Sequence, residues 1–383
     1  MGPLAGIKIV ELAGIGPGPM CAMLLADLGA TVIRVDRKVA VKLGIERPLK
    51  YNTLLRNRHV INVDLKDPHA VEMVLKLVEQ ADALIEGFRP GVTERLGLGP
   101  DTCLARNPRL IFGRMTGWGQ DGPMAKWAGH DINYLALTGI LDAIGREGEP
   151  PSIPLNLLGD YAGGSLYLAL GILAGIIEAR ASGKGQVVDA AIVDGAANLA
   201  TTFFGMLAAG IWKSGPGTRG TNITDSGSHF YDSYECKDGR YICVGPIEEK
   251  FYAEWLKLMD IDPATIGKQM EAGNWKAAKA IVADRFKTRT RDEWAAILEH
   301  SDACASPVLS FLEAPEHPHM KARGVFIEVG GVVQPAPAPK FSRTKPDIPT
   351  PPQEANSANA DKALASWFSG EEIARLRAEG VID

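Results

Sequence analysis

The chain has 383 residues, 46% apolar and 23% charged, with a net charge of −5. That length leaves room for two or three domains with real cores, and the slight negative charge offers no general nucleic-acid surface. Cys21, Cys103, Cys236, Cys243 and Cys304 show no CxxC pairing, which suits free thiols in a reducing cytosol.

The N-terminal MGPLAGIKIVELAG enters a strand at once, without a basic segment and long apolar run, so no secretory signal is expected. IKIVEL (7–12) reads as a short strand and PMCAMLLADLG (19–29) as a helix with Pro19 in its first turn. TVIRVDR (31–37) is the next strand. VINVDL (60–65), a helix over 69–80 and ALIEGF (83–88) repeat the pattern, and LARNPRLIFGRMTG (104–117) adds another strand. Such alternation implies right-handed crossovers and a parallel sheet, an α/β fold.

The middle third reads as helical, with long segments over 165–180 and 190–210 joined by SGKGQ. The apolar stretch 166–179 is too short to span a membrane and reads as a buried helix, so no membrane association is expected. The pattern then changes. SHFYDSYECKDGRYICVGPI (228–247) carries two aromatic-rich strands around the turn Lys237-Asp238-Gly239. Helices follow over 249–259, 275–286 and 290–300, the last with a capping box from Thr290 and Glu293. Residues 227–328 therefore read as a smaller α+β domain. Proline-rich 334–352 reads as an extended strap, and Ser369 with Glu372 caps a final helix that stops at Gly380. The terminal GVID is not a peroxisomal tripeptide, and a cytoplasmic location is expected.

Three features bear on chemistry. The turn AGIGPGP (13–19), with Asp36 ending the second strand, invites a dinucleotide-binding reading, but Pro19 stands where the third glycine or alanine belongs. What remains is a tight turn without ligand, or one lying against a non-nucleotide chain such as a pantetheine arm. Next, Arg37, Lys38, Lys42, Arg47, Lys50, Arg56 and Arg58 face Glu46 alone, seven minus one giving +6. Arg89 and Arg95 add cations at the end of a later strand. Ligands of open α/β sheets bind beyond strand carboxyl ends, so this cationic rim suits phosphates.

The third feature lies in GWGQDGPMAKWAGHDINYLALTG (117–139) and PLNLLGDYAGG (154–164). His130 and Asp160 each sit just before a probable helix among glycines. A base and a carboxylate at helix N-termini suit proton transfer beside a carbonyl. The amide of Asp131, opening a helix over 131–137, is a candidate donor to a developing enolate oxygen. His59, His69, His229, His300, His317 and His319 show no metal-ligand spacing such as HExxH, and no metal or other cofactor is expected.

VELAGIGPGP, RNR (56–58), EGFRPGVTERLGLGP, RMTGWGQDGP, AGHDINYLALTG, PLNLLGDYAGG, SGKGQVVDAAIVDG and YDSYECKDGRYICVGPIE together resemble the α-methylacyl-CoA racemases of the family III CoA-transferase superfamily. The resemblance runs over residues 3–343, leaving the loop 38–51 unmatched. It implies a large Rossmann-like domain built from both chain ends (1–226 and 329–383), a small domain over 227–328, and an interlocked homodimer. It also implies interconversion of R and S 2-methylacyl-CoA thioesters through an enolate, with His130 and Asp160 as the two bases. Glu248 would pair with His130 across the subunit boundary. Ile15, Arg37, Leu54, Asn57, Arg58, Gly87, Phe88, Arg89 and Arg95 fall where the superfamily binds CoA.

Two other functions stay open. A CoA transferase would use Asp160 as a covalent carboxylate nucleophile, and an acyl-CoA carrier would use the cationic pocket without chemistry. Such transferases tend to carry glutamate at the place of His130 and a glycine run before the small domain. This chain has His130 and TNITDSGSHF (221–230), which favours the racemase.

Overall fold

The computed structural model describes residues 2–39 and 44–382. The short apolar runs form a six-stranded parallel sheet. Its strands are β1 (Lys8–Leu12), β2 (Thr31–Arg37), β3 (Arg58–Val63), β4 (Ala83–Glu86), β5 (Ile111–Thr116) and β6 (Gln186–Ala191), in spatial order β3-β2-β1-β4-β5-β6. This is the doubly wound order, with a topological switch between β1 and β4. Side chains alternate between faces, so each strand feeds two cores. Val10, Ile33, Val35, Leu84 and Phe112 meet the Pro68–Gln80 helix on one face. Ile9, Val32, Ala83, Ile85 and Ile111 meet the Pro17–Asp27 helix on the other.

β6 was not among the expected strands. QVVDAA runs directly into the Ile192–Leu199 helix, and its first residues are exposed, so no buried apolar run marks it as a strand. The expected helix over 190–210 is instead a strand end, the Ile192–Leu199 helix and the Thr201–Ala208 helix. The expected helix over 165–180 starts earlier. A π-helical segment, Leu157–Leu166, continues into the α-helix Tyr167–Ser182. The combined 26 residues are long and apolar enough to cross a membrane, unlike the stretch 166–179 alone. Half of its apolar window is buried, with Leu168 and Ile172 fully enclosed against Gly113 of β5, as in a core helix.

Under the sheet's switch point sits a buried carboxylate. Glu11 of β1 takes Arg34 Nη1 at 2.6 Å and Arg58 Nε at 3.1 Å. The same two arginines reach forward to the turn after β1. Arg34 Nη2 donates to Gly14 O (3.4 Å), and Arg58 Nη2 donates to Pro19 O. Beside them Arg56, also buried, pairs with Asp27 at 2.5 Å.

The chain divides into two compact units, residues 1–138, 155–199 and 321–383 against residues 139–154 and 200–320. These bounds differ from the expected 227 and 328. The segment 139–154 joins the second unit, tied there by Arg146 to Asp232 (2.8 Å) and by Arg219 to Asp142 (2.8 Å). Within that unit, β7 (Asp232–Glu235) and β8 (Tyr241–Val244) make the expected hairpin, and β9 (Ala305–Pro307) adds a third antiparallel strand. The helices Glu249–Leu258, Trp275–Phe286 and Arg291–Leu298 enclose Trp255, Phe286 and Trp294, and Thr290 and Glu293 form the capping box.

The first unit also holds the antiparallel pair β10 (Phe326–Val329) and β11 (Val332–Pro335), so the strap begins inside a strand. Residues 336–356 have no regular structure. Asn57 ties this strap down, its amide donating to Thr350 O (3.1 Å) and its Oδ1 accepting from Thr350 N (2.7 Å). The Ser357–Leu364 helix was not anticipated. The Gly370–Ala378 helix was, and Ser369 Oγ caps it by accepting from Glu372 N (3.3 Å).

Glu11→Gln should leave the buried Arg58 guanidinium without its counter-charge and Arg34 with Asp36 alone, and destabilise the protein by about 3–5 kcal/mol. Arg106→Ala, which breaks half-exposed pairs with Glu72 and Glu79, should cost less than about 1 kcal/mol. Urea unfolding of both variants measures the contrast, and equal losses would show that Glu11 carries no special weight.

Candidate active site

Beyond the carboxyl ends of β1, β2, β4 and β5 lies a cavity of about 520 Å³. This is where ligands of doubly wound sheets bind, and the volume lies within the ordinary range for small-molecule sites. Every lining residue belongs to the first unit.

The AGIGPGP turn forms one wall through Gly14, Ile15 and Gly16. Gly16 has φ +67°, and a Cβ placed there would stand 3.4 Å from Asp160 Oδ2. Glycine at this position both permits the turn and leaves room beside that carboxylate. Arg37 from the end of β2 and Gly87, Phe88 and Arg89 after β4 form the rim. Arg37 lies over the Phe88 ring at 5.9 Å. The loop after β4 is held from below by Glu86. Its buried carboxylate accepts from Phe88 N (2.7 Å) and from Arg114 Nε (2.8 Å), while burial pushes its pKa up.

His130 is the N-cap of the Asp131–Leu137 helix, and its amide donates to Asn133 Oδ1 (2.9 Å). Its side chain is exposed and lines the cavity. The glycines around it serve Tyr134, whose hydroxyl donates to Gly129 O (2.5 Å) and whose ring meets Trp118 edge-on at 4.7 Å. A Cβ on Gly117 would fall 2.0 Å from that ring, and one on Gly129 would fall 2.7 Å from it. Burial raises the Tyr134 hydroxyl to about 12, helped by the Asp160 charge, so it remains a donor.

Asp160 does not precede a helix, as expected, but lies in the first turn of the Leu157–Leu166 segment. The buried carboxylate of Asp131 caps this segment. Its Oδ2 accepts from Asp160 N (2.6 Å), and the Gly159 amide also bonds to it. Asp131 is thus more than an amide opening a helix. Its side chain joins the segment carrying Asp160 to the helix carrying His130. A Cβ on Gly159 would meet Asp131 Oδ2 at 2.4 Å, which explains the glycine in LGD. Burial, then the neighbouring Asp131 charge, raises the Asp160 carboxyl to about 6, against smaller lowering by Asn156 and His130. A carboxyl there gives up and takes a proton near neutrality.

The cavity therefore gathers His130, Asp160, Ile15, Arg37, Gly87, Phe88 and Arg89. It does not gather the rest. Arg58 is fully buried on Glu11, Pro19 O and Arg56 O, so its guanidinium is not free for a phosphate. Asn57, with φ +59°, spends its side chain on Asp27 and Thr350. Leu54 sits in the Thr53–Leu55 turn, and Arg95 is exposed at the end of the Val92–Arg95 helix, neither lining the cavity. Glu248 belongs to the second unit. The cationic run is also reduced. Arg56 and Arg58 are neutralised internally, Lys38 Nζ donates to Gly380 O (2.6 Å), and Lys42 lies outside the described residues. Trp118, Trp127 and Tyr134 line the cavity unanticipated. Aromatic residues inside a glycine-rich loop were the available signal. Among the described residues, no three His, Cys, Asp or Glu side chains gather as a metal site.

A family model described as CoA-transferase family III matches residues 4–359. The chain belongs to this family. It is 42% identical to an alpha-methylacyl-CoA racemase of Mus musculus and 41% identical to that of Homo sapiens, each over 99% of this chain and 97% of the relative. Its fold is similar to the crystal structure of a CAIB/BAIF family protein from Brucella suis, with a TM-score of 0.81 and 27% identity over 96% of this chain and 100% of that one. The family III fold thus agrees with the expected α/β architecture.

Carbon-13 NMR of the Asp160 carboxyl should show a midpoint near 6. Asp131→Asn keeps an acceptor for the Asp160 amide but removes the negative neighbour, and the midpoint should fall toward the ordinary carboxylate range. It should fall only part of the way, because burial remains. An unchanged midpoint would show that the two carboxylates are not electrostatically coupled.

Proposed function

We propose that this protein interconverts the R and S forms of 2-methylacyl-CoA thioesters by 1,1-proton transfer through an enolate. The observation that carries this reading is the placement of His130 and Asp160 on one cavity, with the Asp160 carboxyl raised to about 6. The full-length similarity to alpha-methylacyl-CoA racemases supports it.

One residue removes the α-proton while the other returns one on the opposite face. Positioned acid–base groups supply roughly 10²–10⁴ in rate. Backbone donors to the enolate oxygen add about 10²–10³. The Asp131 amide, in a first helical turn where N–H groups lack intrahelical acceptors, is the donor we assign. Arg37 and Arg89 meet phosphates of the CoA moiety, and Ile15, Gly87 and Phe88 meet its apolar arm.

We further propose a homodimer in which Glu248 of one chain supports His130 of the other. Leu166, Leu170 and Ile177 form an exposed stripe on one face of the 157–182 helix, as a helix covered by a second copy would. Sedimentation velocity at assay concentration reads this directly, and a monomer would remove the shared site.

The reaction is tested by incubating either enantiomer with the enzyme in D₂O. Both should gain α-deuterium and lose optical purity. His130→Ala and Asp160→Ala should each lower turnover by at least about 10²-fold, with CoA-ester affinity changed only a few-fold. As a base Asp160 must be ionised, so exchange of the enantiomer it serves should fall as pH drops through about 6. Acyl migration to free acids without α-exchange, with a hydroxylamine-trapped adduct on Asp160, would identify a CoA transferase instead. Binding without exchange would identify a carrier.

Arg37→Ala should weaken binding of CoA esters well beyond that of pantetheine esters lacking the nucleotide, because the guanidinium addresses phosphate. Calorimetry with both ligands checks this. Equal losses would assign Arg37 a structural role.

A further inference from the structure

The chain before Glu248 makes a tight bend, with Ile247 N donating to Gly245 O (2.9 Å). Glu248 is the N-cap of the Glu249–Leu258 helix, in extended conformation (φ −74°, ψ 140°), and its carbonyl accepts from Tyr252 N (2.9 Å). Glutamate is not a favoured N-cap residue. Its carboxylate does not cap the helix and, among the described residues, has no hydrogen-bond or ion-pair partner in its own chain. It is exposed. This is a helix start arranged to present a carboxylate outward.

What holds the bend is Gln269. Its Nε2 donates to Pro246 O and to Ile247 O, both at 2.9 Å. The backbone of Gln269 is itself anchored, since its carbonyl accepts from Nε1 of the buried Trp275 (2.8 Å). The Ile247 carbonyl and the Glu248 nitrogen share one peptide plane. Fixing that carbonyl fixes the plane, and with it the direction in which the Glu248 side chain leaves the backbone. The first turn of the helix is held by a different contact, from Tyr252, whose hydroxyl meets Nε2 of the buried His229 at 2.7 Å. The helix is therefore anchored through Tyr252, and the bend through Gln269.

We infer that Gln269 is a positioning residue for Glu248, setting the direction of its carboxylate through paired hydrogen bonds to the two preceding carbonyls. The inference rests on the reading above that Glu248 takes part in the reaction. Gln269 touches neither substrate nor the reacting atoms. It acts only by where it keeps Glu248, and misplacing a group of that kind by about 1 Å can cost about 10²-fold in rate.

The test is a double-mutant cycle on the full-length enzyme, read as kcat and KM for α-proton exchange. Gln269→Met keeps the side chain's length and removes its donors. It should lower kcat by about 10-fold and leave KM within about 2-fold, because the lost interaction matters in the transition state. In a Glu248→Gln background the same substitution should lower kcat no further, because the two residues act as a unit. Gln269→Asn, with the amide drawn back by one methylene, should fall between Met and wild type, and it carries the same cycle if the Met variant does not fold. An equal loss in both backgrounds would overturn the inference and leave Gln269 as general support for the unit. No loss in either background would overturn it too. A Glu248→Gln enzyme at full turnover would instead remove Glu248 from the reaction, and the positioning role with it.

Discussion

The rest of the site depends on one buried carboxylate. Glu11 sits under the sheet's switch point with two guanidinium groups on it, and each also grips a carbonyl of the turn above. A buried ion pair is seldom a strong source of stability, because desolvation of the charges opposes their attraction. Here the cluster fixes geometry. Gly14 and Pro19 bracket Gly16, and Gly16 stands beside the Asp160 carboxylate. The position of one wall of the cavity thus follows from a cluster of buried charges.

A second buried acid does similar work beside Asp160. Asp131 bonds to the amides of Gly159 and Asp160 from the helix that starts at His130. The two groups proposed to exchange protons are therefore set by one short connection rather than by two independent loops. The same arrangement raises the Asp160 carboxyl, since the group that orients it is also its negative neighbour. Asp131 thus contributes to both orientation and acidity, adding its charge to the larger effect of burial. Glu86 repeats the theme under the Phe88 loop.

Much of this was legible in the residues. The strands of the first third, the hairpin at Lys237-Asp238-Gly239, the capping box at Thr290 and the helix start at His130 all announced themselves through alternation, turn chemistry or capping side chains. β6 did not, because its outer residues are exposed and its inner ones continue straight into a helix. Arg56 and Arg58 were legible as charge but not as burial. Their partners Asp27 and Glu11 lie about thirty and fifty residues away in sequence, beyond any local pattern. Asp160 lies within its helix rather than before it, since a π-helical start breaks the usual periodicity. The glycines around His130 and Asp160 did not show in the sequence what they accommodate. Several make room for the ring of Tyr134 and the carboxylate of Asp131.

The far end of the chain has a consequence for the order in which the protein is made. Leu364, Trp367, Ile373, Leu376 and Val381 complete the same core as Val10, Ile33 and Val35, and Lys8 lies over the Trp367 ring while its Nζ donates to Ser366 O (2.7 Å). The aromatic core of the second unit is drawn from one continuous stretch that ends at Ala305. During synthesis on the ribosome, the unit encoded later can therefore close its interior first. The part of that core which the Pro68–Gln80 helix leaves open stays open until residues 364–381 have left the exit tunnel. Domains generally fold from the N-terminus onward as they emerge. Here the first unit completes its interior only with residues 364–381, after the core residues of the second unit have been made.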